Sequence, residues 1–311
     1  MRQDGKLYTR GWCFQEEFLA NQALHFGPSA VIFECQTHRR SEDQLPPHPI
    51  TTEGTLGEMD DATKWRMMIT TYTRRELTYA KDKLPAVAGI ASNIAQTRGS
   101  VYLAGLWRDS LLLDLLWHVA PGAAHTVLTF PKDKQSAPSW SWASMNRTAV
   151  WEDFIAPIHS LAEIITAEAY VKGANPFGEV SGGQIQIRGR IKPCWVYISS
   201  QENKREIYYR KPDGTESKRQ YFFPDGQLVA RTVSDSDAPV VHRSYGPEPL
   251  EIHGSAMFLT LAQTPWINYK NVGLVISRLT ETPSCFERVG QVLNMPKDWY
   301  EEGQLVDLTM I

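Results

Sequence analysis

The sequence predicts an α+β fold, with a helical N-terminal half followed by a β-rich, sandwich- or barrel-like C-terminal half. Apolar residues recur at helical spacing through residues 61–120, whereas residues 184–191 alternate between polar and apolar side chains. Two Pro-Asp-Gly turns, at residues 212–214 and 224–226, punctuate the C-terminal half. The first pattern has the period of a helix, and the other two are typical of a meander of antiparallel strands.

These patterns divide the 311 residues into three predicted units. Residues 1–60 contain a short helix, two strands and a polar, proline-rich loop. Residues 61–134 form a helical unit, and residues 135–311 form a β-rich domain. We expect two substantial cores, because a chain of this length usually exceeds what one core holds.

The N-terminal unit opens on the segment RGWCFQEEFL, which begins at Arg10. A helix here places four residues on one stripe: Trp12, Gln15, Glu16 and Leu19. Phe14 and Phe18 form a second apolar patch on roughly the opposite side. A carboxylate that shares its stripe with a Trp and a Leu is expected to be buried, and burial requires a hydrogen-bond donor. We therefore predict that Glu16 is largely buried and bonded to Arg10 or to backbone amides.

The helical unit is predicted to contain three helices. The first follows the N-cap signal Asp60-Asp61, and the second has Pro85 in its first turn and stops at Gly99. The third is predicted to run from Asp109 to Val119, with leucines along one face.

In the β-rich domain, the sequence Ser139-Trp140-Ser141-Trp142 alternates small polar residues with tryptophans. This alternation predicts a strand with both rings on one side. One interpretation is a hydrophobic lock between the helical unit and the sheet, and the other is an exposed platform that binds sugars or bases. Further strands are predicted at residues 257–262, 273–279, 286–293 and 305–311.

Composition narrows the classes of protein and partner. Apolar residues make up 42% and charged residues 22%, as in ordinary globular proteins. A net charge of -3 lacks the basic excess of nucleic-acid binders, so no nucleic-acid partner is expected. The longest apolar stretch, residues 111–119, is short and interrupted by Asp114, so no membrane partner is expected either.

The four cysteines indicate the compartment. Cys13, Cys35, Cys194 and Cys285 lie far apart, with neither a C-x-x-C pair nor a zinc spacing. They are expected to be free thiols of a cytoplasmic protein without a metal or another cofactor.

The opening segment resembles the last sequence block of the fungal heterokaryon-incompatibility (HET) domain. The matching residues are Arg10, Gly11, Trp12, Gln15, Glu16, Leu19 and the triplet Phe33-Glu34-Cys35. Glu17 stands where the family usually has Arg. More of the chain is similar to the region that follows the domain in such proteins: residues 72–78 with Asp82, Leu84, Ala86 and Gly89, then residues 102–107, 115–117 and 137–144. The family's opening blocks do not occur here, so the resemblance is to the rear part of a HET-like protein, and we read residues 1–60 as the remaining end of the domain.

The resemblance implies a signalling or interaction protein of fungal non-self recognition and regulated cell death, incomplete and catalytically silent. It implies a protein partner or self-association. We expect the 311-residue product to be non-toxic in a filamentous fungus and an upstream-extended version to arrest growth.

Two other functions stay open. The resemblance also reaches Toll/interleukin-receptor-type domains, some of which cleave NAD, and an enzyme of this kind would use Glu16 as its acid or base. A carbohydrate-binding domain would use Trp140 and Trp142. A Cys13/His25 nucleophile pair is the less favoured reading, because a cysteine crowded by aromatic residues is usually inert. Since no phosphate-loop or hydrolase motif occurs in the sequence, catalysis is not the leading expectation.

Overall fold

The structure is a computed structural model of the whole chain. It describes residues 6–27, 30–35, 37–42, 48–49, 59–120, 137–152, 158–199, 202, 204–211, 213–225, 227–231, 239–244, 251–264, 270–279, 282 and 284–311.

Five short α-helices occur in the described part of the chain: α1 (Trp12–Leu19), α2 (Asp61–Tyr72), α3 (Ala88–Arg98), α4 (Leu111–Asp114) and α5 (Asp298–Glu301). Seven strands are described in the first half: β1 (Gln22–Phe26), β2 (Val31–Cys35), β3 (His38–Ser41), β4 (His48–Pro49), β5 (Tyr102–Leu103), β6 (Leu106–Trp107) and β7 (His118–Val119).

The second half is mainly strands. They are β8 (Ala149–Val150), β9 (His159–Ser160), β10 (Glu163–Val171), β11 (Val180–Ser199), β12 (Lys204–Tyr208), β13 (Gln220–Pro224), β14 (Gln227–Arg231), β15 (Val240–Ser244), β16 (Glu251–Thr264), β17 (Lys270–Arg278), β18 (Cys285–Met295) and β19 (Gln304–Met310).

The predicted fold class is wrong, because the N-terminal half is not helical. Its helices are short and separated by strands: β1 to β4 form an antiparallel four-stranded sheet, β5 and β6 form a hairpin, and β7 pairs with β8. The described chain is therefore predominantly β. Helical spacing of apolar residues overestimated the helix content of this half, because the short segments between the helices also bury apolar side chains although they form strands and turns.

Local signals nevertheless placed two helices well. The carboxylate of Asp60 accepts a hydrogen bond from the backbone N–H of Thr63 at 2.8 Å, which caps α2. Gly99 ends α3 in the left-handed conformation, with φ of 64°.

The third predicted helix is wrong beyond its first turn. α4 ends at Asp114, and the chain enters β7 at His118. The backbone carbonyls after α4 bond to side chains of β18: Arg288 Nη1 donates to Leu115 O at 2.6 Å, and Gln291 Nε2 donates to Leu116 O at 2.9 Å. Side chains of a distant strand thus satisfy these carbonyls in place of the amide groups four residues onward that would continue a helix.

The large sheet closes on itself. β11 pairs with both β12 and β16, and the order continues from β12 through β13, β18 and β17 back to β16. The result is a ring of six strands. Its interior holds a separate cluster of buried residues that includes Phe222, Phe258 and Trp299. β10 and β14 form the two ends of the sheet order outside the ring.

A second, larger core joins the rest of the molecule. It contains Phe14 from α1, Trp65 from α2, Trp107 from β6 and Leu308 from β19. All three units predicted from the sequence contribute to it. This shared core fixes α1 and the helices around it against the large sheet.

Candidate interaction surface and adjoining cleft

Two close backbone approaches dock the start of α1. The N–H of Gly11 donates to the carbonyl of Glu76 at 2.7 Å, and a Cβ on Gly11 would lie 2.6 Å from Leu77 Cδ2. Only glycine fits this contact without displacement of the leucine. Arg10, which is exposed, forms a parallel β-bridge with Glu76 through its backbone.

The middle of α1 docks on α3. Gln15 Oε1 accepts a hydrogen bond from the N–H of Gly89 at 2.7 Å. A Cβ on Gly89 would lie 2.9 Å from Gln15 Cδ and 3.1 Å from Leu19 Cδ1, so the contact requires glycine there. At the surface, Trp12 Nε1 lies 3.4 Å from Asp82 Oδ2. These family-motif residues thus position α1.

The structure corrects the prediction for Glu16. Its side chain is exposed, and within the described part of the chain no group donates a hydrogen bond to it. Trp12 and Leu19, on the same stripe, are 40% and 41% exposed. Trp12 and Glu16 face solvent because Phe14, on another side of α1, packs into the core, while Gln15 of the same stripe bonds to Gly89 of α3.

Glu17, the next residue, forms an ion pair, and its partner is Arg75 rather than Arg10 or a backbone amide. Its Oε2 accepts a hydrogen bond from Arg75 Nη2 at 2.8 Å, and the Arg75 side chain is only 10% exposed. The guanidinium also lies over the ring of Phe14, 4.8 Å from its centroid. Sequence reasoning missed this ion pair, although Glu17 had been noted as a departure from the family's Arg.

Apolar side chains are exposed along α1 and β1. They are Leu7 (63% exposed), Trp12, Phe18 (49%), Leu19, Leu24 (60%) and Phe26 (80%), and we call them the N-terminal apolar surface. These six residues lie within twenty positions of the sequence, on the 3-10 helix Lys6–Thr9, on two sides of α1 and on β1, and exposed apolar side chains on neighbouring elements are candidate contacts for another protein.

A cleft of about 730 Å³ adjoins this surface. Its apolar wall contains Phe14 and Phe18 of α1, Met67 and Met68 of α2, and Ile94 of α3. The polar part of its lining comes from β1 and β2, from the Glu17–Arg75 pair, and from polar residues of α2 and α3 such as Asp61, Lys64 and Thr97. The cleft is therefore bounded by the same elements that carry the N-terminal apolar surface.

A short polar chain lies along the β side of the cleft. Tyr8 Oη is 2.7 Å from His25 Nδ1, and His25 Nε2 is 3.9 Å from Glu34 Oε2. Next to Glu34, Cys35 is hydrogen-bonded by the side chain and the backbone of Thr37, which lowers the pKa of its thiol. His25 is thus engaged by Tyr8 and Glu34, and the Cys13/His25 pair has no support in this geometry.

Trp140 and Trp142 do not lie on a strand. The backbone forms a turn that leads into a 3-10 helix at Trp142–Ser144, so that part of the prediction is wrong. Both rings are completely buried. Trp142 Nε1 donates to Gly105 O at 2.9 Å, and its ring contacts Tyr72 of α2 edge-on. Neither ring presents a face that a sugar could stack on.

Other kinds of site are not apparent in the described residues. Among them, no group of three or more His, Cys, Asp or Glu side chains is arranged to hold a metal ion. None of the helices described is long and apolar enough to cross a membrane.

Comparisons of the chain with protein-family models, with curated proteins and with solved structures give no match.

Proposed function

We propose that this chain is a HET-like signalling and interaction protein of fungal non-self recognition and regulated cell death. It acts in the cytoplasm by binding another polypeptide, and neither nucleic acid nor a membrane is its partner. The observation that carries the proposal is the N-terminal apolar surface, which lies on the segment that resembles the HET block.

The roles of the motif residues support a binding function. Gly11 and Gln15 position α1, while Trp12 and Leu19 remain exposed on its outer face. An α1 helix that is held firmly and still exposes aromatic and aliphatic side chains offers a preorganised contact for a partner.

The position of Glu16 argues against an NAD-consuming enzyme. A catalytic carboxylate gains its raised proton affinity from burial or from neighbouring charges, and Glu16 is exposed. Incubation of the purified chain with NAD is therefore expected to release no nicotinamide. Nicotinamide release that is lost in Glu16→Gln would replace the proposal with the enzymatic reading.

A genetic test addresses the signalling role. In the fungus that encodes the chain, Phe18→Asp is expected to weaken the rejection of incompatible strains, because it places a charge on the apolar surface. Tyr221→Asp is the matched control, since Tyr221 is 51% exposed and Phe18 is 49% exposed. Both purified variants are first checked for unchanged thermal unfolding. Rejection that is equally strong in parent, Phe18→Asp and control would refute the proposal.

A further inference from the structure

β1 is an edge strand with an unusual character. In the four-stranded sheet it pairs only with β2, and no described strand lies along its outer edge. Leu24 and Phe26 project from one face of β1 and are 60% and 80% exposed. Its sequence, QALHF, contains no Lys, Arg, Asp or Glu. An edge that is apolar and uncharged is a template for pairing with another strand.

β10, at one end of the large sheet, can be compared with β1 as a second edge strand. β10 also lies at the end of a sheet order, and it carries the exposed carboxylates of Glu163 and Glu168. Two register irregularities interrupt its pairing with β11. Charges and bulges are the devices by which proteins protect sheet edges from other strands. β10 has both devices, whereas β1 has a regular register with β2 and no formal charge.

The sequence of β1 is compatible with pairing to a second copy of itself. Antiparallel pairing about a two-fold axis through Leu24 places the two Leu24 side chains opposite each other. It places Gln22 opposite Phe26, and Ala23 opposite His25. No like charges meet in this register: Phe26 faces the flexible Gln22, His25 faces the small Ala23, and the two leucines face each other.

We propose that the polypeptide bound by this surface is a second copy of the chain, joined by antiparallel pairing of the two β1 strands. The proposal rests on the interaction function proposed above and specifies its partner. Pairing joins two four-stranded sheets into one continuous sheet of eight strands. Because a five-residue edge buries less than the roughly 1,000 Å² of a stable interface, the dimer is transient and depends on concentration.

Sedimentation velocity over a concentration series tests whether the dimer forms at this edge. The parent is expected to shift from monomer toward dimer as the concentration rises. Leu24→Lys is expected to weaken the association by about tenfold or more, because two lysines would stand opposite each other. Leu305→Lys is the matched control: Leu305 is 57% exposed but lies on β19, where it pairs with Arg190 of β11, far from β1 in the sequence. The control is expected to dimerise like the parent.

Disulfide trapping tests the register. In the proposed pairing, a cysteine at position 24 faces its own copy, whereas a cysteine at position 26 faces Gln22. Under mild oxidation, Leu24→Cys is therefore expected to form covalent dimers faster than both Phe26→Cys and the parent. Equal trapping at the two positions would overturn the two-fold register.

Two further outcomes separate this inference from the proposed function. A parent that stays monomeric at every concentration overturns the inference, and so does a dimer that Leu24→Lys does not weaken. If either occurs while Phe18→Asp still abolishes rejection of incompatible strains, the interaction function stands and its partner is a different chain. If dimers form as described but the fungal phenotype is unaffected, the self-association is supported and the signalling role fails.

Discussion

The buried ion pair between Asp225 and Arg288 gives the most direct test of the fold. Both side chains are completely inaccessible to solvent, and the guanidinium binds the two carboxylate oxygens at 2.8 and 3.0 Å. Arg288 also donates to the carbonyls of Leu115 and Trp117, and it lies 3.6 Å from the centroid of the Trp117 ring. One side chain of β18 thus fixes the segment between α4 and β7.

Asp225→Ala is expected to lower the free energy of unfolding by about 3–5 kcal/mol, because it leaves the guanidinium charge buried without its counterion. In a protein of this size, the loss corresponds to a fall in Tm of roughly 10 °C. Chemical denaturation with both fluorescence and circular dichroism measures the change and checks that unfolding remains cooperative.

An exposed pair of the same geometry provides the control. Arg188 and Asp307 also form two hydrogen bonds, at 2.8 and 2.9 Å, but their side chains are 50% and 55% exposed. Asp307→Ala is expected to change the stability little, because solvent screens the pair and rehydrates the arginine. Similar losses for Asp225→Ala and Asp307→Ala would refute the reasoning that burial, rather than bonding geometry, sets the cost.

Three further predictions follow from other parts of the chain. Burial raises the pKa of Asp114 from 3.8 to about 6, so the folded protein binds a proton at this carboxyl more tightly than the unfolded chain does. The resulting contribution to the free energy of unfolding is complete below about pH 4 and is lost as the pH rises through about 6. Denaturation series at several pH values should therefore show the stability of the parent falling relative to that of Asp114→Asn across this interval. Gly105→Ala should lower the free energy of unfolding by about 2–4 kcal/mol, because φ is 97° and a Cβ would lie 2.5 Å from Nε1 of Trp142. Gly99→Ala should lower it by only about 1 kcal/mol, because φ is also positive there but the space around the Cβ is open. Equal losses for the two variants would contradict the packing argument. Glu17→Arg should lower Tm, and adding Arg75→Glu should recover part of the loss; no recovery in this double-mutant cycle would mean that the ion pair contributes nothing.

The parts of the fold that sequence predicted depend on local chemistry. Asp60 caps α2, and Gly99 ends α3, through contacts within the same few residues. The end of the third helix could not be predicted from neighbouring residues. Its carbonyls bond to Arg288 and Gln291, which lie more than 170 residues further along the chain. A local pattern contains no information about such partners.

The candidate site was harder to predict because α1 has two plausible faces. The sequence places Trp12, Glu16 and Leu19 on one face and Phe14 and Phe18 on another. Helical periodicity identifies both stripes but does not say which one meets the core. Phe14 packs against Tyr72 of α2 and is buried, whereas Gln15 of the other stripe bonds to Gly89 of α3 and Glu16 stays exposed. The tryptophans near residue 140 posed a similar problem, since alternation alone does not distinguish a strand from an irregular buried turn.

The motif residues that carry the family resemblance therefore position α1 against its neighbours, and none of them forms a catalytic arrangement in the described residues. Gly11 and Gln15 are required by contacts with Leu77 and with the backbone of Gly89, and such contacts identify how a helix is seated. A residue pattern that is required to position a helix is compatible with a site that has no catalytic group. The function must then be argued from what the seated helix and its neighbouring strand expose. In this chain, that is an apolar surface and an unprotected strand edge, which are features of binding.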